Sequence, residues 1–251
     1  MKENELLAKR FLELAERSYN TSSFKFTDFL GLLEQNIFQS VKKELYGIKY
    51  ECFGGVAGAE RIIIRFGDEE ELGYSEPFPI SCIKISPKCE RFADRLTHRD
   101  FLGAILNLGL ERDKLGDIVI VDNVAYLFAK DEIADFLVES LERVRHTDVV
   151  LRIVDAPPAS ELYRTERRKI QISSERLDAI ISKLFRISRE ASSLLFTRGA
   201  VFINGRICQS QSERVKEGEI ISVRGYGKFI YRGVESESRK GKLNCTADVY
   251  V

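Results

Sequence analysis

The sequence predicts an α+β protein built from three small domains. Its 251 residues exceed a single domain of about 100–150 residues. With 44% hydrophobic and 31% charged residues, the composition is typical of a soluble chain that forms cores. Along the sequence, segments whose apolar residues recur with the spacing of a helix alternate with segments whose apolar residues have the spacing of a strand. These observations predict an N-terminal α+β domain over 1–79, a middle domain over 80–155, a linker over 156–171 and a C-terminal domain over 172–251.

The N-terminal domain is predicted to begin with two helices and to continue with two strands. The second helix is expected to follow Thr27 as its N-cap. Strand-like runs over 48–53 and 61–66 are joined through Gly54-Gly55, a turn signal. The helical stripes are Leu7, Phe11 and Leu14 in the first helix, and Phe29, Leu33, Ile37 and Val41 in the second.

The middle domain has the order βαββαβ, the ferredoxin-like pattern that RNA-recognition motifs also use. Thr97 and Asp100 stand at capping-box spacing, and Asn123 separates two hairpin strands. Tyr126 and Phe128 share one sheet face, where they could stack on bases or pack in a core. The acidic balance of the domain favours the core. The predicted elements are strand 80–86, helix 97–110, the hairpin, helix 132–144 and strand 149–155.

The charge distribution points to a polyanion partner for the C-terminal third. The whole chain is neutral, with 39 Lys and Arg against 39 Asp and Glu. Residues 1–79 carry 10 basic against 14 acidic side chains, and residues 80–155 carry 11 against 14. Residues 156–251 carry 18 against 11, which predicts either a nucleic-acid surface or a solvated basic face.

Residues 173–225 predict two short helices followed by short strands. Ser174 is the expected cap of the first helix, and Ser188 is the expected cap of the second, which Gly199 closes. Asn204-Gly205 predicts a hairpin turn. This segment resembles the alpha-L RNA-binding motif of ribosomal protein S-four. The matching residues are Arg176-Leu177-Asp178, Ser188-Arg189, Gly199, Val201, Asn204-Gly205 and Gly218.

The resemblance implies that arginines on two helices bind the phosphates of a folded RNA, because guanidinium groups bind phosphate bidentately. Arg176 and Arg189 are the main candidates, and Asp178 is expected either to orient Arg176 or to close the first turn of the helix. The basic residues of the final segment would add phosphate contacts. The candidate RNA-binding residues are Arg176, Lys183, Arg186, Ser188, Arg189, Arg198, Asn204, Arg206, Arg224, Lys228, Arg239, Lys240 and Lys242.

A wider resemblance covers nearly the whole chain. The segments FTDFL (26–30), FGGVAGAERIIIRF (53–66), residues 96–120 and SVRGYGKF (222–229) are similar to the YlmH family of bacterial proteins. Two departures are visible. After FTDFL, this sequence has Gly31-Leu32-Leu33 where the family often has Pro-Arg-Glu. Near its end it has Ser238-Arg239-Lys240 where the family usually has Thr-Lys-Lys, so the two positive charges are preserved.

This second resemblance implies a non-enzymatic factor of ribosome-associated quality control that assists alanine tailing of stalled chains. Its implied partners are large-subunit ribosomal RNA, peptidyl-tRNA and a tailing factor of the RqcH/NEMF type. We expect a cytoplasmic monomer without cofactor. Two alternatives remain, an RNA-modifying enzyme such as a pseudouridine-synthase relative and an interaction protein of cell division. The Arg-Leu-Asp triplet also occurs around a pseudouridine-synthase catalytic Asp, but here it lies within the alpha-L helix.

The sequence predicts no catalytic or metal site. His98 and His146 are the only histidines, and they lack partners at metal-ligand spacing. The five cysteines form no C-x-x-C pair and are expected to be reduced thiols. There is no phosphate-binding loop, no apolar run long enough to cross a bilayer and no apolar signal segment at the charged start of the sequence.

Overall fold

The computed structural model describes residues 2–250, and the chain folds as two compact units. The first unit ends at Leu162 and the second begins at Tyr163. Mixed helix and strand in both units confirm the α+β class.

The first unit contains six α-helices and eight β-strands among its described residues, with 3-10 turns at Lys42–Leu45, Glu90–Phe92 and Arg112–Lys114. The helices are α1 (Lys2–Thr21), α2 (Leu32–Val41), α3 (Glu69–Leu72), α4 (His98–Leu106), α5 (Asp131–Ser140) and α6 (Ala159–Leu162). The strands are β1 (Lys25–Phe26), β2 (Tyr50–Phe53), β3 (Ile63–Phe66), β4 (Ile80–Pro87), β5 (Leu115–Val121), β6 (Val124–Lys130), β7 (Arg143–Val144) and β8 (Thr147–Val154).

The N-terminal part of this unit is an antiparallel sheet of order β1-β3-β2 with α1 and α2 packed on it. Phe11, Phe38 and Phe66 form an aromatic centre between helices and sheet. The predicted cap at Thr27 is wrong, because α2 begins at Leu32. Thr27 is instead buried, and its Oγ1 accepts a hydrogen bond from the Ile64 N–H at 2.9 Å.

The middle part is an antiparallel sheet of order β5-β6-β4-β8-β7. Without the short β7, this is the strand order of the ferredoxin-like fold that the βαββαβ pattern predicted. Asp122 and Asn123 both have positive φ and close the predicted hairpin. At α4, the Asp100 carboxylate accepts from the Thr97 N–H at 2.8 Å, as its spacing predicted.

The second helix of this part is shorter than predicted. α5 ends at Ser140, because Arg143 and Val144 pair with β8 instead of continuing the helix. Phe136 of α5 is exposed, whereas Leu137, Leu141 and Val144 are buried.

The two parts of the first unit pack directly on each other. The Arg61 guanidinium donates to the carbonyl oxygens of Phe29, Arg112 and Leu115 at 2.8–3.1 Å. Gly55 lies so close to the Phe128 ring that a Cβ on Gly55 would stand 2.3 Å from it. Phe128 is therefore core, and base stacking on that ring is excluded.

The second unit is a six-stranded antiparallel sheet of order β11-β10-β12-β13-β14-β9, covered by two helices. The helices are α7 (Leu177–Phe185) and α8 (Arg189–Thr197). The strands are β9 (Thr165–Ile172), β10 (Val201–Ile203), β11 (Arg206–Ile207), β12 (Ile220–Val223), β13 (Gly227–Glu237) and β14 (Leu243–Tyr250).

The predicted linker over 156–171 is shorter, because most of its second half is strand. β9 pairs with β14 along its whole length, from Thr165 opposite Tyr250 to Ile172 opposite Leu243. Ile170 and Ile172 alternate onto the core of the unit. In the sequence, the basic residues Arg167, Arg168 and Lys169 directly before Ile170 obscure this period-two pattern.

Candidate nucleic-acid interface

Helices α7 and α8 are joined by a tight turn that the local sequence dictates. Leu177, Ile180 and Ile181 are buried on one stripe of α7. Arg186 adopts a left-handed conformation, with φ of 54°, and ends α7. The Ser188 hydroxyl then accepts from the Ala191 N–H at 3.0 Å and caps α8, as predicted.

The cap predicted at Ser174 is wrong. α7 begins at Leu177, and the N-cap position is Arg176, whose side chain makes no capping bond. The Ser174 carbonyl accepts from the Arg176 N–H at 2.8 Å, so residue 174 lies in the turn before the helix.

Asp178 joins the first turns of the two helices. The Arg176 guanidinium donates from Nε to Asp178 Oδ1 at 3.0 Å and from Nη2 to Oδ2 at 3.4 Å. Arg189 donates from Nη2 to the same Oδ2 at 2.8 Å. The Ser192 hydroxyl donates to the Asp178 carbonyl at 2.9 Å. The expected orientation of Arg176 by Asp178 is thus confirmed, and Arg189 is held by the same carboxylate.

The electrostatics of this cluster favour an anionic ligand. Burial disfavours the charged form of Asp178, but the hydrogen bonds and the positive charges of Arg176 and Arg189 together outweigh it and hold the Asp178 pKa below the usual value. The Asp178 side chain is only 4% exposed, whereas Arg176 and Arg189 are 42% and 53% exposed. The cluster therefore presents two oriented guanidinium groups and a net positive charge, with donors left over for a phosphate.

A loop residue that the sequence analysis missed lies beside this cluster. Arg214 forms an antiparallel backbone bridge with Arg176, and the Leu177 N–H donates to the Glu213 carbonyl at 3.1 Å. Arg214 is exposed. Its loop is brought to α7 by tertiary contacts, so no spacing in the sequence signals this neighbourhood.

Some predicted RNA-binding residues also have structural partners within the protein. Asn204 Oδ1 accepts from the Ile220 N–H at 3.0 Å in the predicted hairpin turn. The Arg224 guanidinium lies 5.4 Å from the Phe202 ring centroid. Lys228 Nζ lies 5.0 Å from the Tyr163 centroid and 4.2 Å from the Tyr250 centroid.

The remaining predicted residues are exposed but do not form one cluster. Leu243, which follows the β13–β14 hairpin tip, pairs with Ile172, so the tip lies at the sheet end that leads into α7. Lys228 lies at the opposite end, because Phe229 pairs with Val249. The exposed tip carries Arg239, Lys240 and Lys242, while Lys183, Arg186, Arg198 and Arg206 are exposed on the helices, their ends and β11.

Neither a metal cluster nor a helix able to cross a membrane occurs within residues 2–250. No group of three or more His, Cys, Asp or Glu side chains there has a metal-binding arrangement. No helix in that range is both long and apolar enough to span a bilayer.

Comparison with known proteins identifies two domains. Residues 74–157 match the family described as "Putative RNA-binding domain in YlmH", and residues 175–221 match the S4 domain. These are domains of the RNA-binding kind that the sequence predicted.

Similarity to individual proteins extends beyond these domains. A structure of the cell division protein YlmH from Streptococcus pneumoniae is 19% identical, with a TM-score of 0.48, and the match covers 61% of this chain and 92% of that one. The ribosome-associated protein quality control protein P2 of Bacillus subtilis (strain 168) is 31% identical over 230 residues, which are 88% of this chain and 86% of the relative. This identity over most of both sequences, together with the two domain matches, shows that the chain belongs to the YlmH family.

Proposed function

We propose that this protein binds RNA of the large ribosomal subunit through the cluster of Arg176, Asp178 and Arg189. The observation that carries the proposal is the buried Asp178 carboxylate, which orients two guanidinium groups that stay about half exposed. Such groups lose little side-chain freedom when they bind phosphate, because their orientation is already restrained.

The charge of the second unit supports a polyanion partner. Residues 163–251 carry 18 Lys and Arg against 10 Asp and Glu. A field of this sign would attract the RNA backbone over a distance, and the oriented arginines would then fix the register of the protein on it.

The cluster supports binding rather than catalysis. A pseudouridine-synthase role would need a catalytic Asp that faces the substrate. Both Asp178 oxygens accept hydrogen bonds from arginines, and the side chain is 4% exposed. Asp178 is therefore a positioning residue in our proposal.

The finer role we propose is in ribosome-associated quality control. The Bacillus subtilis relative carries that description, and this chain aligns with 86% of its length. The protein would act in the cytoplasm on large subunits that hold peptidyl-tRNA, together with an RqcH/NEMF-type tailing factor, and would support alanine tailing without chemistry of its own.

The test is co-sedimentation of the protein with purified large subunits. Removing two charge-assisted contacts in Arg176→Ala/Arg189→Ala should raise the Kd roughly 10- to 100-fold. Arg176→Lys/Arg189→Lys keeps the charge but loses the bidentate geometry, so an intermediate loss is expected.

Lys9→Ala/Arg17→Ala is the matched control, because it removes the same charge from exposed positions of α1. It should bind like the wild type. If both cluster variants stay folded and bind subunits with unchanged affinity, the proposed role of Arg176 and Arg189 is wrong.

A further inference from the structure

A row of four side chains crosses the face of the middle sheet that lies opposite α4 and α5. Tyr126 pairs with Val119 on one side and with Lys84 on the other, and Lys84 pairs with Arg152. Side chains alternate between the two faces of a sheet, so the residues adjacent to the row point to the other face. Three of them, Ile83, Leu127 and Leu151, form the core there with α4 and α5. We call these four residues the cross-strand row.

The cross-strand row remains accessible although part of its sheet face is covered. Phe128, two residues after Tyr126, is buried against Gly55. Tyr126, Lys84 and Val119 are partly exposed, and Arg152 is exposed. The covered part of this sheet face therefore ends at Phe128, before the row begins. The Tyr126 ring and the charged groups of Lys84 and Arg152 are accessible at the surface.

The charge of the cross-strand row is not neutralised within the protein. Among residues 2–250, neither Lys84 nor Arg152 takes part in an ion pair. The four strands that supply the row contain two acidic residues. Asp117 accepts from the backbone N–H groups of Glu60 and Arg61, and Asp148 pairs with Arg143 at 2.7 Å.

We propose that the cross-strand row is a second RNA site, which binds unpaired nucleotides. A base would stack on Tyr126, and the flanking phosphates would bind Lys84 and Arg152. Four neighbouring strands span roughly 14 Å, enough for a short single-stranded segment. A ring beside two unpaired cations suits a polyanion with flat apolar bases better than a protein surface. The site needs no contribution from Arg176 or Arg189.

The test uses the full-length protein and an unstructured RNA of about 8 nucleotides that contains 2-aminopurine. Tyr126→Val removes the ring but keeps a strand-forming residue. It should weaken binding by about 5- to 100-fold and abolish the quenching that stacking causes. Tyr126→Phe should bind and quench like the wild type, because it keeps the ring. Lys84→Ala/Arg152→Ala should weaken binding in a folded protein.

The controls separate this site from the α7–α8 cluster. Tyr19→Val removes an exposed ring from α1 and should leave oligonucleotide binding unchanged. Arg176→Ala/Arg189→Ala should weaken subunit binding but keep oligonucleotide binding. Wild-type affinity and quenching in Tyr126→Val, or equal losses in Tyr126→Val and Tyr126→Phe, would overturn the proposal. Wild-type behaviour of Tyr126→Val would indicate instead that the cross-strand row contacts a protein partner.

Discussion

At the scale of single residues, two buried aspartates in the second unit each bind two arginine side chains, at different places in the unit. Asp178 holds Arg176 and Arg189, and Asp248 holds Arg167 and Arg232 at 2.7–3.2 Å. Both carboxyl groups have a pKa below the usual value. For Asp178, burial raises the pKa, but the hydrogen bonds and charges of the two arginines together outweigh it. For Asp248, the hydrogen bond from Arg167 is the largest cause of the lowered pKa.

This pair yields a prediction with a built-in control. Asp178→Asn and Asp248→Asn each replace a charge that binds two guanidinium groups, and each should lower the free energy of unfolding by about 1–3 kcal/mol. Only Asp178→Asn should weaken binding to large subunits, since it releases Arg176 and Arg189. Urea unfolding and co-sedimentation measure the two effects. Equal loss of subunit binding in both variants would show that stability, rather than arginine orientation, controls affinity.

The pH dependence of stability follows from the same two residues. A carboxyl with a lowered folded pKa stabilises the protein fully above its unfolded pKa of about 3.9 and loses that contribution as the pH falls through the folded value. Wild-type stability should therefore fall more steeply below about pH 4 than that of Asp178→Asn or Asp248→Asn. Urea midpoints measured between neutral and acidic pH test this, and parallel curves for all three proteins would contradict it.

At the scale of elements, helix α8 is capped by Ser188, as the sequence predicted. Ser188→Ala removes the acceptor for the Ala191 N–H and should cost about 1 kcal/mol of unfolding free energy. Ser188→Asp should restore the cap, but its charge beside Arg189 should weaken RNA binding. Urea midpoints and subunit affinities of the two variants separate capping from RNA contact. If Asp destabilises as much as Ala, the hydroxyl does more than cap.

The elements that could be predicted are those whose signals are local. The βαββαβ order, the Asn123 and Asn204-Gly205 turns and the Ser188 cap all depend on residues within a few positions of each other. Thr27 was misassigned as a cap because its real partner, the Ile64 N–H, is distant in sequence. The neighbourhood of Arg214 and Arg176 and the covering of Phe128 by Gly55 are likewise long-range, so no window of the sequence contains them.

At the scale of the whole molecule, the net charge of zero results from an acidic first unit and a basic second unit. Residues 1–162 carry 21 Lys and Arg against 29 Asp and Glu, while residues 163–251 carry 18 against 10. The acidic first unit limits nonspecific attraction to RNA, so binding depends on basic side chains placed at particular sites. The arginine cluster on α7 and α8 and the cross-strand row are the two sites that we propose for this role.

The salt dependence of subunit binding tests this division of charge. Each phosphate contact releases counterions, so log K should fall linearly with log salt concentration, with a slope of roughly −0.7 to −0.9 per contact. Arg176→Ala/Arg189→Ala should make the slope shallower by roughly 1.5, because two contacts are lost. Lys9→Ala/Arg17→Ala removes the same charge from α1 and should leave the slope unchanged. If both double variants shift the slope equally, the interaction responds to overall charge, and the oriented pair of arginines has no special part in it.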